Sequence, residues 1–175
     1  MEQDHSGSLP KILELNDFKA EVRGHPLVKG LLQSFCGLKP KFKALRDGEE
    51  MNVDDKLLKF IYTSWLHWPD IYMIYIYLLG VLLSDDAFDS FSIPISIFDV
   101  EGEASRIMQY ARKHLVSIVG KYRKNIIENV GKILRIGLKV KVIVPPHGLV
   151  WKNNPNMILD AYMRWAEEKP VKIKS

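Results

Sequence analysis

A single cysteine, Cys36, stands in a chain of 175 residues. An internal disulfide is therefore excluded, and the chain does not look like one made for an oxidising compartment, where cysteines come in pairs. Cys36 reads as a small buried apolar side chain, since neither His25 nor His67 forms a recognisable thiol and imidazole signature with it. Long apolar runs are also missing. The most apolar stretch, Ile71 to Leu83, has thirteen residues, where a bilayer span needs about 20. The N-terminus shows neither a charged start with an apolar run, as a signal peptide would, nor a glycine at position 2 for myristoylation, where Glu2 stands. The glycines are scattered, and GKILRIG at 131 to 137 lacks the Ser or Thr that would complete a phosphate loop. His5, His25, His67, His114 and His147 show no short metal-ligand spacing, so neither a metal nor any other cofactor is expected. With no anchor for catalysis, the expected protein is not an enzyme.

What the chain does have is charge that is unevenly placed. Between Arg106 and Lys141 ten Lys or Arg residues face one acidic residue, Glu128, in a chain whose net charge is +4. The twenty residues from Ser84 to Glu103 hold Asp85, Asp86, Asp89, Asp99, Glu101 and Glu103, with no Lys or Arg. Such polarity attracts phosphate-bearing surfaces, and it lets the acidic part of one copy meet the basic part of the next. On a helix from Ala104 to about Val130, broken near Gly120, Arg106, Lys113, Lys121 and Lys124 fall within an arc of roughly 80°. Met108, Ala111, Leu115, Ile118, Val119, Tyr122 and Ile126 take the other side. Leu134 to Val144 then alternates apolar residues with Arg135, Gly137, Lys139 and Lys141, the period of a half-buried strand. Lys132 lies between the two elements, and Lys39, Lys41 and Lys43 form a smaller basic loop between Gly37 and Glu50. A solvated charged face with no partner remains the plain alternative.

Length and composition, 47% hydrophobic and 26% charged, suit one globular domain over residues 9–175 behind a short polar tail at 1–8. Expected elements are a strand from Ile12 to Val22, a helix from Pro26 to about Phe35, and two apolar helices, Asp54 to Trp68 and Asp70 to Leu83, meeting at Pro69. In this reading Asn52 caps the first of them and Asp54 and Asp55 sit in its first turn. Trp65, Trp68, Tyr72, Tyr75 and Tyr77 face a core, a partner or a membrane interface. An edge strand at Phe91 to Ile97, a PPHG turn at 145 to 148 leading into Leu149 to Trp151, and a last helix capped by Asn154 and Pro155 and stopped by Pro170 complete the chain. The fold class is α+β, a small mixed, mostly antiparallel sheet packed with about five helices.

Three segments, FKAEVRGHPLVKGLLQSF at 18 to 35, WLHWPDIYMIYIYLLGVLL at 65 to 83, and IGLKVKVIV at 136 to 144 with AYMRWAEE at 161 to 168, resemble rhabdovirus matrix proteins of the short plant cytorhabdovirus kind. That resemblance implies a non-enzymatic structural protein of the virion and host cytoplasm. It would self-associate and bridge a viral nucleoprotein–RNA complex to an anionic membrane surface as a peripheral protein. Its phosphate- or lipid-binding residues would be Arg106, Lys113, Lys121, Lys124, Lys132, Arg135, Lys139, Lys141, Lys39, Lys41 and Lys43, and the acidic side from Asp85 to Glu103 would serve self-association. PPHG lacks the tyrosine that should stand fourth in the family's budding motif. The alternative is a sequence-independent nucleic-acid-binding accessory subunit using the same cations on phosphates.

Overall fold

The computed structural model describes residues 2–168. In chain order the elements are α1 (Gln3–Ser6), α2 (Leu9–Leu15), β1 (Glu21–Gly24), α3 (Pro26–Cys36), β2 (Lys41–Ala44), β3 (Glu50–Val53), β4 (Lys56–Tyr62), β5 (Tyr72–Ile76), β6 (Val81–Leu83), α4 (Glu103–His114), α5 (Arg123–Arg135), β7 (Val142–Val144) and α6 (Pro155–Glu167). Between α4 and α5 the chain makes a π-helical turn, Leu115–Val119, and a tight 3₁₀ turn, Gly120–Tyr122. The α+β class is as expected. The stop at Pro170 and the VKIKS tail lie outside the described residues.

Five strands form one sheet in the order β3-β4-β5-β6-β7. The first four make an antiparallel meander, and β6 pairs with β7 in parallel, Leu82 opposite Ile143. Since β4 and β6 each run antiparallel to β5, the strands β4, β6 and β7 all point the same way. Their C-terminal ends open on one rim. Between β6 and β7 the chain crosses over through α4 and α5, and these helices pack with α6 on one core. Ile61, Met73, Tyr75, Leu82 and Ile143 from the sheet meet Ile107, Ala111, Leu115, Val119, Ile126, Val130, Ile133, Ile158 and Tyr162 from the helices. A separate parallel pair, β1 with β2, lies outside this sheet.

The helices are where the sequence placed them when their ends carry caps. In α3, Pro26 is the first helical residue, His25 Nδ1 accepts the Leu27 N–H at 3.3 Å, and Gly37 closes the end with φ 66°. The break in the long cationic helix near Gly120 is also present. The two apolar helices expected from Asp54 to Leu83 are instead β4, β5 and β6. Asp54 is not in a first helical turn; it takes φ 52° in the hairpin between β3 and β4. An apolar run without clear periodicity fits a strand covered on both faces as well as a buried helix. Residues 12–15, expected in a strand, belong to α2. The edge strand expected from Phe91 to Ile97 is an irregular loop followed by an isolated bridge between Phe98 and Val150, and of the strand at 134–144 only Val142–Val144 forms.

Candidate metal centre

Each strand reaching the shared rim is followed closely by a metal-competent side chain. His67 comes five residues after Tyr62 of β4, Asp86 three after Leu83 of β6, and His147 three after Val144 of β7. Turn-forming residues surround them: Trp65 at φ 71°, Pro69, Asp85 at φ 51° and Gly148 at φ 84°. Leu66, fully buried, pins the loop that carries His67, and Asn129 of α5 donates to the Ser64 carbonyl at 3.0 Å. The first residues, expected as a loose tail, fold as α1 against this rim and bring Glu2, Asp4 and His5.

Asp86 is the hinge of the arrangement. Its Oδ1 lies 3.1 Å from His5 Nε2 and its Oδ2 3.1 Å from His67 Nε2, so its two oxygens face different imidazoles. His147 Nε2 lies 3.2 Å from Asp4 Oδ2, and Glu2 Oε2 3.8 Å from His67 Nε2. Two groups with no residue in common, Glu2 with His67 and Asp86, and Asp4 with His5 and His147, each bring three ligand atoms within 4.8 Å of one another. Asp86 links them again through groups with His5 and Asp85 and with Asp89 and His147. This is the pattern of a two-ion site with a bridging carboxylate.

Electrostatics agree with convergence. Burial works to raise the Asp86 carboxyl, but the His67 hydrogen bond and the charges of His5, His67 and His147 hold it below the usual range. The Asp86 contact raises His67. Asp85 is pushed up to about 6 by burial and the Asp86 charge, and Asp89 to about 9 for the same two reasons. His114, buried beside the same cavity, is pushed down to about 4 by burial. Imidazole and carboxylate donors without thiolate suit non-haem iron, and also zinc or manganese. The residues present therefore fit a pair of iron ions, with Glu2, Asp4, His5, His67, Asp86 and His147 as the side chains that would hold them.

Of the expected site residues, Asp85, Asp86 and Asp89 fall in this cluster and the others lie outside it. Glu103 pairs with Arg106 at 2.7 Å and accepts the Ile95 N–H at 2.8 Å, so neither charge is free for a partner. Asp99 accepts the backbone N–H groups of Lys152, Asn153 and Asn154, each at 2.8 Å, and so anchors the entry to α6. Glu101 is exposed. Asp85, Asp86 and Asp89 belong to the metal-competent cluster. Lys132 donates to both Asp47 oxygens, at 2.7 and 2.6 Å, and to the Tyr62 carbonyl. Lys113, Lys121, Lys124, Arg135, Lys139 and Lys141 are exposed, as are Lys39, Lys41 and Lys43, and these cations do not converge on a common pocket among the described residues. His5, His67 and His147, dismissed for lack of short spacing, are brought together by topology. The signal available in the sequence was their setting near turn residues, with Ser6 after His5, Pro69 two residues after His67, and Pro146 and Gly148 on either side of His147.

Comparisons with known proteins fit the cluster. The family profile described as ODP family beta lactamase matches residues 2–148. A nitric oxide reductase of Moorella thermoacetica is 30% identical over 166 residues, which cover 95% of this chain and 42% of that protein. A solved flavo di-iron protein from Thermotoga maritima is 34% identical with a TM-score of 0.86, covering 95% of this chain and 41% of the other. The rubredoxin oxygen:oxidoreductase of Desulfovibrio gigas shares the fold, with a TM-score of 0.89 at 22% identity over 97% of this chain and 43% of its own. The chain thus spans about two fifths of the length of the relatives it matches.

These findings overturn the rhabdovirus resemblance and the viral role drawn from it. The relatives include a nitric oxide reductase and an oxygen:oxidoreductase, which removes the non-enzymatic matrix role, the nucleoprotein–RNA and membrane partners, and the virion location; the nucleic-acid-binding alternative has no support either. No helix among the described residues is long and apolar enough to cross a membrane. The chain belongs to the ODP family of beta-lactamase-like domains.

Proposed function

We propose that this chain is the iron-binding part of a reductase for a small neutral gas, nitric oxide or dioxygen. The observation that carries the reading is the pair of disjoint donor groups joined by Asp86, whose two oxygens face different histidines. Support comes from relatives named for a di-iron centre, for nitric oxide reduction and for oxygen reduction.

Iron, when bound, supplies the electron transfer that reduction of such a gas requires. The chain's own residues hold and shape the site. Asp86, kept ionised by His5 and His67, offers a permanent negative charge to two cations at once. The contacts between His5, His67 and Asp86 pre-orient these donors before any ion arrives. Reduction of dioxygen to water, or of two nitric oxide molecules to nitrous oxide and water, consumes protons, and Asp89 holds one at its carboxyl up to about pH 9 in the cavity that His67, Asp86 and His147 line. Phe91, Ile93 and Ile118 give that cavity an apolar side suited to an uncharged molecule. The described residues lack the glycine-rich cradle a flavin phosphate would need, so no flavin is placed on them, and electrons are proposed to arrive from a donor outside this chain.

Anaerobic titration with ferrous iron, followed by metal analysis, is the test. Two equivalents per chain are expected, with release of protons as the imidazoles take up metal. A chain that binds zinc but not iron, and hydrolyses a lactam or ester, would overturn the redox reading.

A further inference from the structure

Behind the donor cluster lies a cavity of about 600 Å³. Its wall includes His67, Asp86, Asp89 and His147, and Ser90 and His114 as well. His114 is 5% exposed and so is Ser90, yet His114 Nδ1 and Ser90 Oγ are buried without a hydrogen-bond partner. Buried polar atoms are nearly always paired, so two orphans in one cavity next to a metal-competent cluster call for an explanation. His114 belongs to none of the convergent donor groups, although it shares their cavity.

The backbone points to the same place. His114 ends α4, and the next five residues form the π-helical turn Leu115–Val119. Such turns are strained and concentrate at functional sites. Here the turn keeps Leu115 and Val119 in the core while His114 and Ile118 both line the cavity. Phe91 meets the His114 ring edge-on, with centroids 5.0 Å apart and planes at 81°, which fixes the imidazole from the apolar side.

We propose that His114, with Ser90 beside it, forms the hydrogen-bonding wall that contacts the small gas molecule from the side away from the metal donors. This rests on the reading of the site as a gas reductase and adds the residues that recognise the molecule. A buried imidazole that stays neutral gives an N–H without adding a positive charge next to two cations, and burial does lower the His114 pKa, to about 4. The Ser90 hydroxyl rotates to donate or accept as the bound molecule requires.

The experiment uses the iron-loaded chain with added nitric oxide as the probe, and reads the N–O stretch by infrared spectroscopy together with iron content. His114→Phe is expected to keep two irons and to move the band to higher frequency, because a donor that weakens the N–O bond is gone; His114→Gln, which keeps an N–H, is expected to return it toward the native value. Ser90→Ala gives a smaller upward shift, and decides the matter if His114→Phe does not fold. In the metal-free chain Ser90→Ala is expected to melt no lower than the native protein, since it removes an unpaired atom. An unmoved band in both variants, loss of iron in His114→Phe, or a melting temperature several degrees lower in Ser90→Ala would each overturn the proposal. Failure of the native chain to bind iron at all would instead bring down the function on which it stands.

Discussion

The chain has two charged regions, and they behave in opposite ways. Along α4 and α5 the cations are many, exposed and divergent, and several end in local pairs: Arg106 with Glu103, Lys132 with Asp47, Arg112 with Glu168, and Arg123 with the carbonyls of Trp165 and Ala166 at the end of α6. At the rim of the sheet the charges are fewer, come from positions 2 to 147, and turn toward one another. The first region dominates any count along the sequence. The second dominates the chemistry, because opposite charges and imidazoles in contact around the buried Asp86 shift one another's proton affinities, while exposed, separated charges are screened.

The comparison breaks most completely at Asp86. Asp86→Ala removes the carboxylate shared by three of the four donor groups, and metal affinity is expected to fall at least about 100-fold, read by calorimetric titration with ferrous iron or zinc. Unchanged affinity in this variant would mean that the cluster is a network of ion pairs and not a metal centre.

Next in size is Gly148→Ala. At φ 84° a side chain is strained, and a Cβ there would lie 2.2 Å from Ser90 Oγ and 3.2 Å from the Ser90 backbone nitrogen. A loss of about 2–4 kcal/mol of stability is expected by chemical denaturation, from left-handed strain plus overpacking. The displaced turn also carries His147, so metal uptake should weaken in the same variant. Gly37→Ala, at a similar φ but in open space, should cost only about 1–2 kcal/mol and leave metal uptake unchanged.

Why one region was legible in the sequence and the other was not follows from where their information lies. Pro26 with Gly37, Asn154 with Pro155, and the helical period of Ala111, Leu115, Val119 and Ile126 are local signals, and α3, α6 and the long interrupted helix lie where those signals put them. The turn at PPHG was legible for the same reason. The stretch from Lys56 to Leu83 was not, because β5 is covered on both sides: Met73 and Tyr75 face the core while Tyr72, Ile74 and Ile76 are half-buried on the other face, which erases the alternation of a strand. Its β-branched and aromatic content was the better guide. The donor cluster was hidden by a rule about short spacing. His5, His67 and His147 are 62 and 80 residues apart; strands running the same way bring His67, Asp86 and His147 to one rim, and α1 lays His5 against it.

A pH experiment sharpens the contrast between buried and exposed charge. Asp89 is nearly inaccessible, and its carboxyl is raised to about 9 by burial and by Asp86. In the metal-free chain the folded state therefore keeps a proton that the unfolded state has already lost above the usual carboxylate range. The contribution of Asp89 to native stability should fall as pH rises from about 4 toward 9. Asp89→Asn carries no such proton. Its advantage over the native chain should be nil near pH 4 and grow to roughly 1–3 kcal/mol by pH 8, in urea melts across that range. A gain that does not change with pH would assign the effect to packing.

The smallest expected effect is the most telling about the cationic face. Lys113, Lys121 and Lys124 are exposed, and no side-chain hydrogen bond or ion pair is found for them among the described residues. Reversing all three to Glu should alter stability by less than about 0.5 kcal/mol per site and leave iron stoichiometry unchanged, since exposed charges at this distance from the rim are screened. The triple variant separates density of charge from direction of charge. If electrons reach the site from an acidic protein donor, the reversed face should slow reduction by that donor at low salt, with the difference vanishing as ionic strength rises, because long-range steering is the one contribution a divergent cationic surface can still make. If the rate is unchanged at every salt concentration, the ten cations between Arg106 and Lys141 serve folding and solubility alone, and the chemistry belongs entirely to the rim.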